Sequence, residues 1–584
     1  MTDTQPTPAP RPAVPLPEGA ARALTAAGGL LTAASAFLSW TYSSTFPGDL
    51  TVTGFPGGLQ WLTLTAGALT LLLSLAGYGV PGLRWLVPGG ANGAIVIAAI
   101  GALATTWFTL IAITTELGGL ANLTAGGWIA GVVSLASVIG ALALPRDGIA
   151  PDDDNPLKRA LGYPGKRADL KPAPALPFAV ELLIITAVLA LGLGIFTYGV
   201  DTSYGELFGG FLFTVSFGIW SLNRSGAVAR LAEITGRHRV YVTIGAFVAA
   251  AAFPFTQHSD ANATLGVNLL IFGGTALGLN VVVGLTGLLD LGYVAFLGVG
   301  AYTAALVSGA ATSAIHVQFP FWAAALTGAA VSGIFGILLG APTLRVRGDY
   351  LAIVTLGFGE IFRIVVNNLD GTSGPNLTGG PNGIVNIPDL DIFGFNLGNA
   401  HTIAGITLGR FANYFELMLV FIAIIVLIFS RSSNSRIGRA WVAIREDEIA
   451  ATAMGINSFR FKLLAFALGA TLAGLAGTVM AHVNFSVVPD PFVFAGPVPP
   501  NSAFLLAAVV IGGMGTVSGP LIGAALFYLL QAKLEFLQSY QLLIFGIALI
   551  LFMRFRPEGL IANKRRQLEF HEAETAPELS SAGA

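Results

Sequence analysis

Apolar runs long enough to cross a lipid bilayer recur along this chain, separated by polar loops in which arginine and lysine collect. Each crossing needs roughly 20 apolar residues. Candidate spans lie at about 23–41, 59–79, 91–114, 125–144, 176–198, 206–222, 240–257, 321–343, 350–367, 414–430, 461–483 and 540–553. The expected fold class is therefore all-α, a polytopic membrane helical bundle. Composition agrees: of 584 residues 54% are hydrophobic and 10% charged, against about 25% charged in a soluble domain. The 74 glycines suit helices that pack closely through small residues. Cysteine is absent, which excludes disulfides and thiolate metal sites. The six histidines are scattered without metal-ligand spacing, so no metal is expected.

Arginine and lysine favour the cytoplasmic side of a membrane. Residues 1–20 are proline-rich and polar and read as a disordered tail. Arg11 and Arg22 lie at the start, and Arg84 sits between the second and third spans. The loop 146–175 carries Arg146, Lys158, Arg159, Lys166, Arg167 and Lys171, and the loop after the sixth span carries Arg224, Arg230, Arg237 and Arg239. Four spans from an inside amino terminus, then two more, place all of these inside. The expected organisation is a tail at 1–20, a four-span extension at 21–145, a cytoplasmic linker at 146–175, three further spans at 176–257, a core at 258–556 and a cytoplasmic tail at 557–584.

Two apolar stretches are broken by glycine. The first, 265–312, contains GLNVVVGLTGLLDLGY, and the second contains AVVIGGMGTVSGPLIGA. For the basic loops to agree, each must begin and end outside, as two full spans or as a re-entrant pair of half-helices. The second is short, which favours a re-entrant or broken pair. Irregular backbone at membrane depth is tolerated only where it is buried in protein or lines a cavity. Paired glycine interruptions of this kind point to a transport path, although small residues also serve plain helix packing. The candidate path or hinge residues are Asn280, Gly284, Gly287, Asp290, Gly292, Gly512, Gly513, Gly515 and Gly519. Asn280 has two readings, bonding to an unwound backbone or to a neighbouring helix. Asp290 is flanked by apolar residues, where a carboxylate is paired or functional, unless the break leaves it at a wet helix end. Glu360 and Arg363 are spaced to pair on one helix face.

Between the spans at 414–430 and 461–483 lies SRSSNSRIGRAWVAIREDEIAATAMGIN. Arg431, Arg436, Arg439 and Arg445 hold it inside. The run from Glu446 to Gly455 reads as a short helix, with early acids that complement the helix dipole and a glycine stop. Such a helix, fixed at both ends to spanning helices, can transmit a push; the alternative is an ordinary solvated loop. No catalytic motif is present, and no GxxxxGK[ST] occurs, so any ATP that drives this chain binds to another chain.

The segment resembles the coupling loop of ABC importer permeases, Glu-Ala-Ala, three residues, then Gly: here Ala450-Ala451, then Gly455, with Ile449 at the glutamate position and Glu448 before it. The resemblance widens over five blocks in order: GLNVVVGLTGLLDLGYVAFLGVGAYTAAL, LRVRGDYLAIVTLGFGEIFRIVVNN with TGGPNGI, SRIGRAWVAIREDEIAATAMGIN, VVIGGMGTVSGPLIGA and RPEGLI. Together they resemble the branched-chain amino acid permeases of the Liv-type ABC importers, in particular the M-type subunit, over about 265–560.

That resemblance implies a non-enzymatic transport subunit of a bacterial cytoplasmic membrane, multi-pass, with both termini inside. Implied partners are two ABC ATPase subunits, a second related permease, an external substrate-binding protein and the lipid membrane, with no nucleic acid. ATP and Mg would be held by the ATPases, leaving no cofactor on this chain. The coupling residues would be Arg445, Glu446, Glu448, Ala450, Ala451 and Gly455, and the outer loops 368–413 and 484–500 would dock the binding protein. Substrates would be branched-chain amino acids or, as in relatives, urea or short amides. An ion-coupled carrier using Asp290 and Glu360 is the competing reading, followed by a membrane scaffold.

Overall fold

The computed structural model describes residues 14–42, 58–145, 176–257, 259–343, 350–372, 374–392, 394–403, 406–496, 500–534, 540–555 and 559–561. The linker 146–175 lies outside these residues, as do 1–13 of the expected tail and all of 557–584 except 559–561. The chain is an all-α membrane bundle: among the described residues ten helices are long and apolar enough to cross a membrane. It divides into two compact units, Met1–Ala249 and Ala250–Ala584.

The first unit holds α1 (Glu18–Ser35), α2 (Gly58–Gly77), α3 (Asn92–Glu116), α4 (Ala125–Leu142), α5 (Phe178–Asp201), α6 (Gly205–Ser225) and α7 (Ala227–Arg237), and α8 (Arg239–Ala252) runs on from it. Two expectations change. The helix begins inside the supposed tail, at Glu18, whose acid lies in the first turn beside Arg22 at 2.8 Å. The expected span at 240–257 is a helix of only 14 residues, which stops before Pro254, a residue without an N–H to continue the ladder. Helices α1 to α4 pack on one another and α6 packs on α2 and α3, through apolar residues such as Leu59, Leu73, Ile95 and Leu110 and through buried hydroxyls. Thr25 and Thr70 are both fully buried. Each hydroxyl donates to the carbonyl one turn earlier, at 2.8 Å to Ala21 and 2.9 Å to Ala66, so a polar group sits at an interface without being stranded. Glu181, buried near the start of α5, accepts from Arg237 at 2.5 Å and lies 2.7 Å from His238 Nε2.

The second unit is built around α9 (Asp260–Asn280), which is extended by a π-turn over Val281–Leu285. Then follow α10 (Val294–Val307), α11 (Phe321–Thr343), α12 (Tyr350–Asn368), α13 (Arg410–Ser433), α14 (Arg436–Glu446), α15 (Glu448–Ala453), α16 (Ser458–Val483), α17 (Ser502–Gly512), α18 (Ser518–Lys533) and α19 (Gln541–Phe555). Neither glycine-broken stretch contains two full spans. The first is one span-length helix of 26 residues, Asp260–Leu285, followed by α10 of 14; the second is α17 of 11 residues folded back against α18 of 16.

Helix α16 is the hub against which α9, α10 and α11 pack. Its contact with α10 is backbone on backbone: a Cβ at Gly300 would strike the Gly474 main chain, and one at Gly474 would strike Ser332 of α11. The Ser332 hydroxyl lies 2.9 Å from the Phe296 carbonyl and 2.8 Å from that of Ala470, joining the three helices. At the far end the loop after α12 forms short antiparallel ribbons, one of which pairs Ile384–Val385 with Ser486–Val487. Arg410 ties this cap down, donating to Asp389 at 2.8 Å, to the Val483 carbonyl at 2.9 Å and to the His482 carbonyl at 2.7 Å.

Replacing Gly474 by Val should therefore force α10, α11 and α16 apart, at about 1–3 kcal/mol or more for overpacking. Thermal unfolding of the detergent-purified protein should show a lower midpoint, whereas Gly357→Val, at a glycine with nothing within 4 Å of an added Cβ, should change it little.

Candidate coupling site

The arginine-rich segment forms an arm of two short helices rather than one. Ser435 begins α14 by accepting from the N–H groups of Ile437 at 3.1 Å and Gly438 at 3.3 Å. The expected helix from Glu446 to Gly455 is broken at Asp447, whose backbone is extended (φ −154, ψ 106). Asp447 instead caps α15, accepting from Ile449 N at 2.8 Å and Ala450 N at 2.9 Å; aspartate satisfies free helix N–H groups well, and this outcompetes continuing the turn. The glycine stop is present: Gly455 has φ +87, and Ile456 N returns to the Ala451 carbonyl at 3.0 Å.

Three attachments fix the arm to the bundle. Trp441 is fully buried among Leu277, Val281, Phe429 and Ala465, and its indole donates to the Phe461 carbonyl at 2.8 Å. Glu448 pairs with Lys462 of α16 at 2.7 Å, and the Thr452 and Ser458 hydroxyls are 2.8 Å apart. With Glu448 turned toward α16 and Ala451 buried, the arm presents Ile449 and Met454 at 82% and 84% exposure. Both are apolar, and among the described residues nothing covers them.

The third attachment leads inward. Arg445 donates through Nη1 to the Gly284 carbonyl at 2.9 Å, while Glu446 holds its Nε at 3.1 Å and Nη2 at 2.6 Å. Its aliphatic stem lies where a Cβ on Gly287 would be, and Gly287 has φ +71. Arg445 thus grips the first break. The first break in turn holds the second. Asn280, 0% exposed, donates through Nδ2 to the Thr516 carbonyl at 2.7 Å and accepts at Oδ1 from Gly515 N at 2.8 Å. One side-chain amide satisfies a donor and an acceptor left over where α17 turns into α18. Gly513, with φ +126, packs on the Ile561 main chain. Residues 559–561 close the same corner, Leu560 N donating to the Ile511 carbonyl at 2.7 Å and Ile561 N to that of Gly512 at 3.0 Å.

Of the candidates read from sequence, Asn280, Gly284, Gly287, Arg445, Glu446, Gly512, Gly513, Gly515 and Gly519 meet at this corner. Gly519 joins through its N–H to Thr516 Oγ1 at 3.0 Å. Ala450 and Gly455 lie on the exposed side of the arm. Asp290 and Gly292 turn away toward α12: Leu291 N donates to Thr355 Oγ1 at 3.1 Å, and a Cβ on Gly292 would meet the Thr355 carbonyl. Glu360 and Arg363 stand apart on α12 and pair with each other at 3.0 Å. Sequence reasoning missed Trp441, Lys462, Thr516 and the 559–561 corner. It also missed Glu416 in α13, whose Oε1 is buried without a partner.

Comparison with known proteins now adds family. The family model described as "Branched-chain amino acid transport system / permease component" matches residues 262–553. The chain is 40% identical over 347 residues to the high-affinity branched-chain amino acid transport system permease protein LivM of Salmonella typhimurium, covering 57% of this chain and 77% of that one. It is 39% identical over 342 residues to LivM of Escherichia coli K12, covering 56% and 76%. Identity to E. coli LivH is 33% over 147 residues, covering 25% and 45%. No solved structure matches the chain.

Asn280→Ala should strand the Thr516 carbonyl and Gly515 N–H, at about 1–3 kcal/mol for each unsatisfied group. A melting curve of the purified chain should show the loss. Asn280→Asp, which keeps the acceptor toward Gly515 but sets a buried carboxylate oxygen against the Thr516 carbonyl, should lose at least as much.

Proposed function

Since the chain belongs to the branched-chain amino acid transport permease family, a family of multi-pass membrane transport subunits, we propose that it is the membrane path of an ATP-driven importer for these amino acids. It sits in the bacterial cytoplasmic membrane with both termini inside, beside a second, related permease. Two ATPase chains hold ATP and Mg, and an external binding protein selects and delivers the substrate to the ribbon-capped face.

The observation that carries this reading is the arm. It exposes Ile449 and Met454 while Arg445, on the same arm, holds Gly284 in the first helix break, and Asn280 links that break to the second. A partner that seats on the apolar pair and moves will move both breaks. The motor has to come from outside, because the chain has no phosphate-binding loop. Binding energy from the ATPases then shifts the bundle between outward- and inward-open states by favouring one of them. An ion-coupled carrier would draw on Asp290 and Glu360, and of these Glu360 already pairs with Arg363 at 3.0 Å.

The test is ATP-driven leucine uptake in proteoliposomes holding this chain, its permease partner, the ATPases and the binding protein. Arg445→Ala should cut uptake by about tenfold or more, the loss of a charge-assisted bond, with the ATPases still bound. Met454→Asp should instead weaken co-purification of the ATPases. Uptake that ignores both variants, or that persists without ATP on an ion gradient alone, contradicts the proposal.

A further inference from the structure

Asp290 is a buried carboxylate with no cationic partner among the described residues. It lies in the non-helical connector between the π-turn and α10 and is 1% exposed. Oδ1 accepts from Gly292 N at 3.0 Å. Oδ2 is buried without a hydrogen bond. The Thr355 hydroxyl lies beside the carboxylate, donates to the Ala352 carbonyl at 3.0 Å and accepts from Leu291 N at 3.1 Å. No lysine or arginine pairs with Asp290 among the described residues, whereas Glu360 has Arg363, Asp389 has Arg410 and Glu448 has Lys462. A carboxylate inside a membrane bundle is costly and needs a cation, a proton or a function.

The residues just before it are more open: Gly287 and Leu289 are exposed and Leu288 is half-buried, whereas Asp290 is buried. The arm holds that segment, through Arg445 on the Gly284 carbonyl and against Gly287. Val281–Leu285 is a π-turn, and Gly287 N and Leu288 N still donate to the Val283 and Val282 carbonyls, both at 3.1 Å, so a shift of this segment moves the π-turn with it. An amino acid crossing this unit can leave its aliphatic side chain among apolar residues, but its ammonium group needs an acceptor within the bundle.

We propose that Asp290 Oδ2 receives the ammonium group of the amino acid in transit, uncovered when the arm draws Gly284–Leu289 aside. This rests on the reading of the chain as an amino-acid permease. It assigns to this chain a selection for the amino group, beyond the selection made by a binding protein. No covalent step is involved: the carboxylate exchanges an empty acceptor position for an N–H donor and releases it when the connector closes.

The experiment uses the assembled importer in proteoliposomes, following ATP-driven uptake of labelled leucine and ATP hydrolysis stimulated by loaded binding protein. Asp290→Asn keeps the shape and the bond to Gly292 N but removes the charge. Uptake should fall about tenfold or more, the scale for losing one member of an ion pair, while stimulated hydrolysis stays within about twofold. Unchanged uptake in Asp290→Asn overturns the proposal, and so does equal loss of uptake and hydrolysis, which marks a role in holding the connector. Should Asp290→Asn fail to assemble, Asp290→Glu keeps the charge and displaces it: a raised KM for leucine supports the assignment, and an unchanged KM overturns it. A native complex that hydrolyses ATP yet takes up no leucine overturns the permease reading itself and with it the ligand.

Discussion

One buried side-chain amide, that of Asn280, holds the second unit in its arrangement. Where α9 unwinds and where α17 turns into α18, the backbone loses its helical partners inside an apolar bundle. An unsatisfied N–H or C=O there costs several kcal/mol. Asn280 sits in the last turn before the first break and supplies the donor and the acceptor that the second break lacks. The two breaks are far apart in the chain and adjacent in space, and each is tolerable because of the other.

Arg445 extends this from packing to mechanics. Its guanidinium reaches the Gly284 carbonyl in the first break, and its other nitrogens are held by Glu446. Trp441 fixes the same helix to the core by filling a slot between α9, α13 and α16. The arm is therefore joined to the bundle by a ring, a charge-assisted bond and an ion pair at Lys462, not by chain connectivity alone. A load on its exposed apolar residues passes to a part of the unit that is not regular helix.

Much of this was legible in the sequence, and the failures have physical causes. The all-α bundle, the glycine breaks and the arm follow from apolar run length, glycine spacing and the placement of arginines. Asp447 falls inside the expected helix because propensity averages over a window, while a cap is a single side chain bonding to two N–H groups. The helix at Arg239–Ala252 reads as a full span because hydropathy continues past the point where Pro254 ends the ladder. The two readings of Asn280 came from its type, but its partner, Thr516, is long-range, as is that of Arg445, and no local pattern marks either. The extension before the core remains a bundle of apolar and hydroxyl-bearing faces, and its sequence carries no chemical motif.

The central claim is that the arm and both breaks move as one body. The chain has no cysteine, so spin labels can be introduced in pairs without background. In the assembled importer, labels at Arg439 of the arm, which is exposed and lies outside the apolar pair, and Val517 should keep the same separation in nucleotide-free and ATP-bound states, while the separation of Arg439 from Leu377 in the ribbon-bearing loop changes. A change between Arg439 and Val517 with ATP, while Val517 keeps its distance from Leu377, would contradict the account.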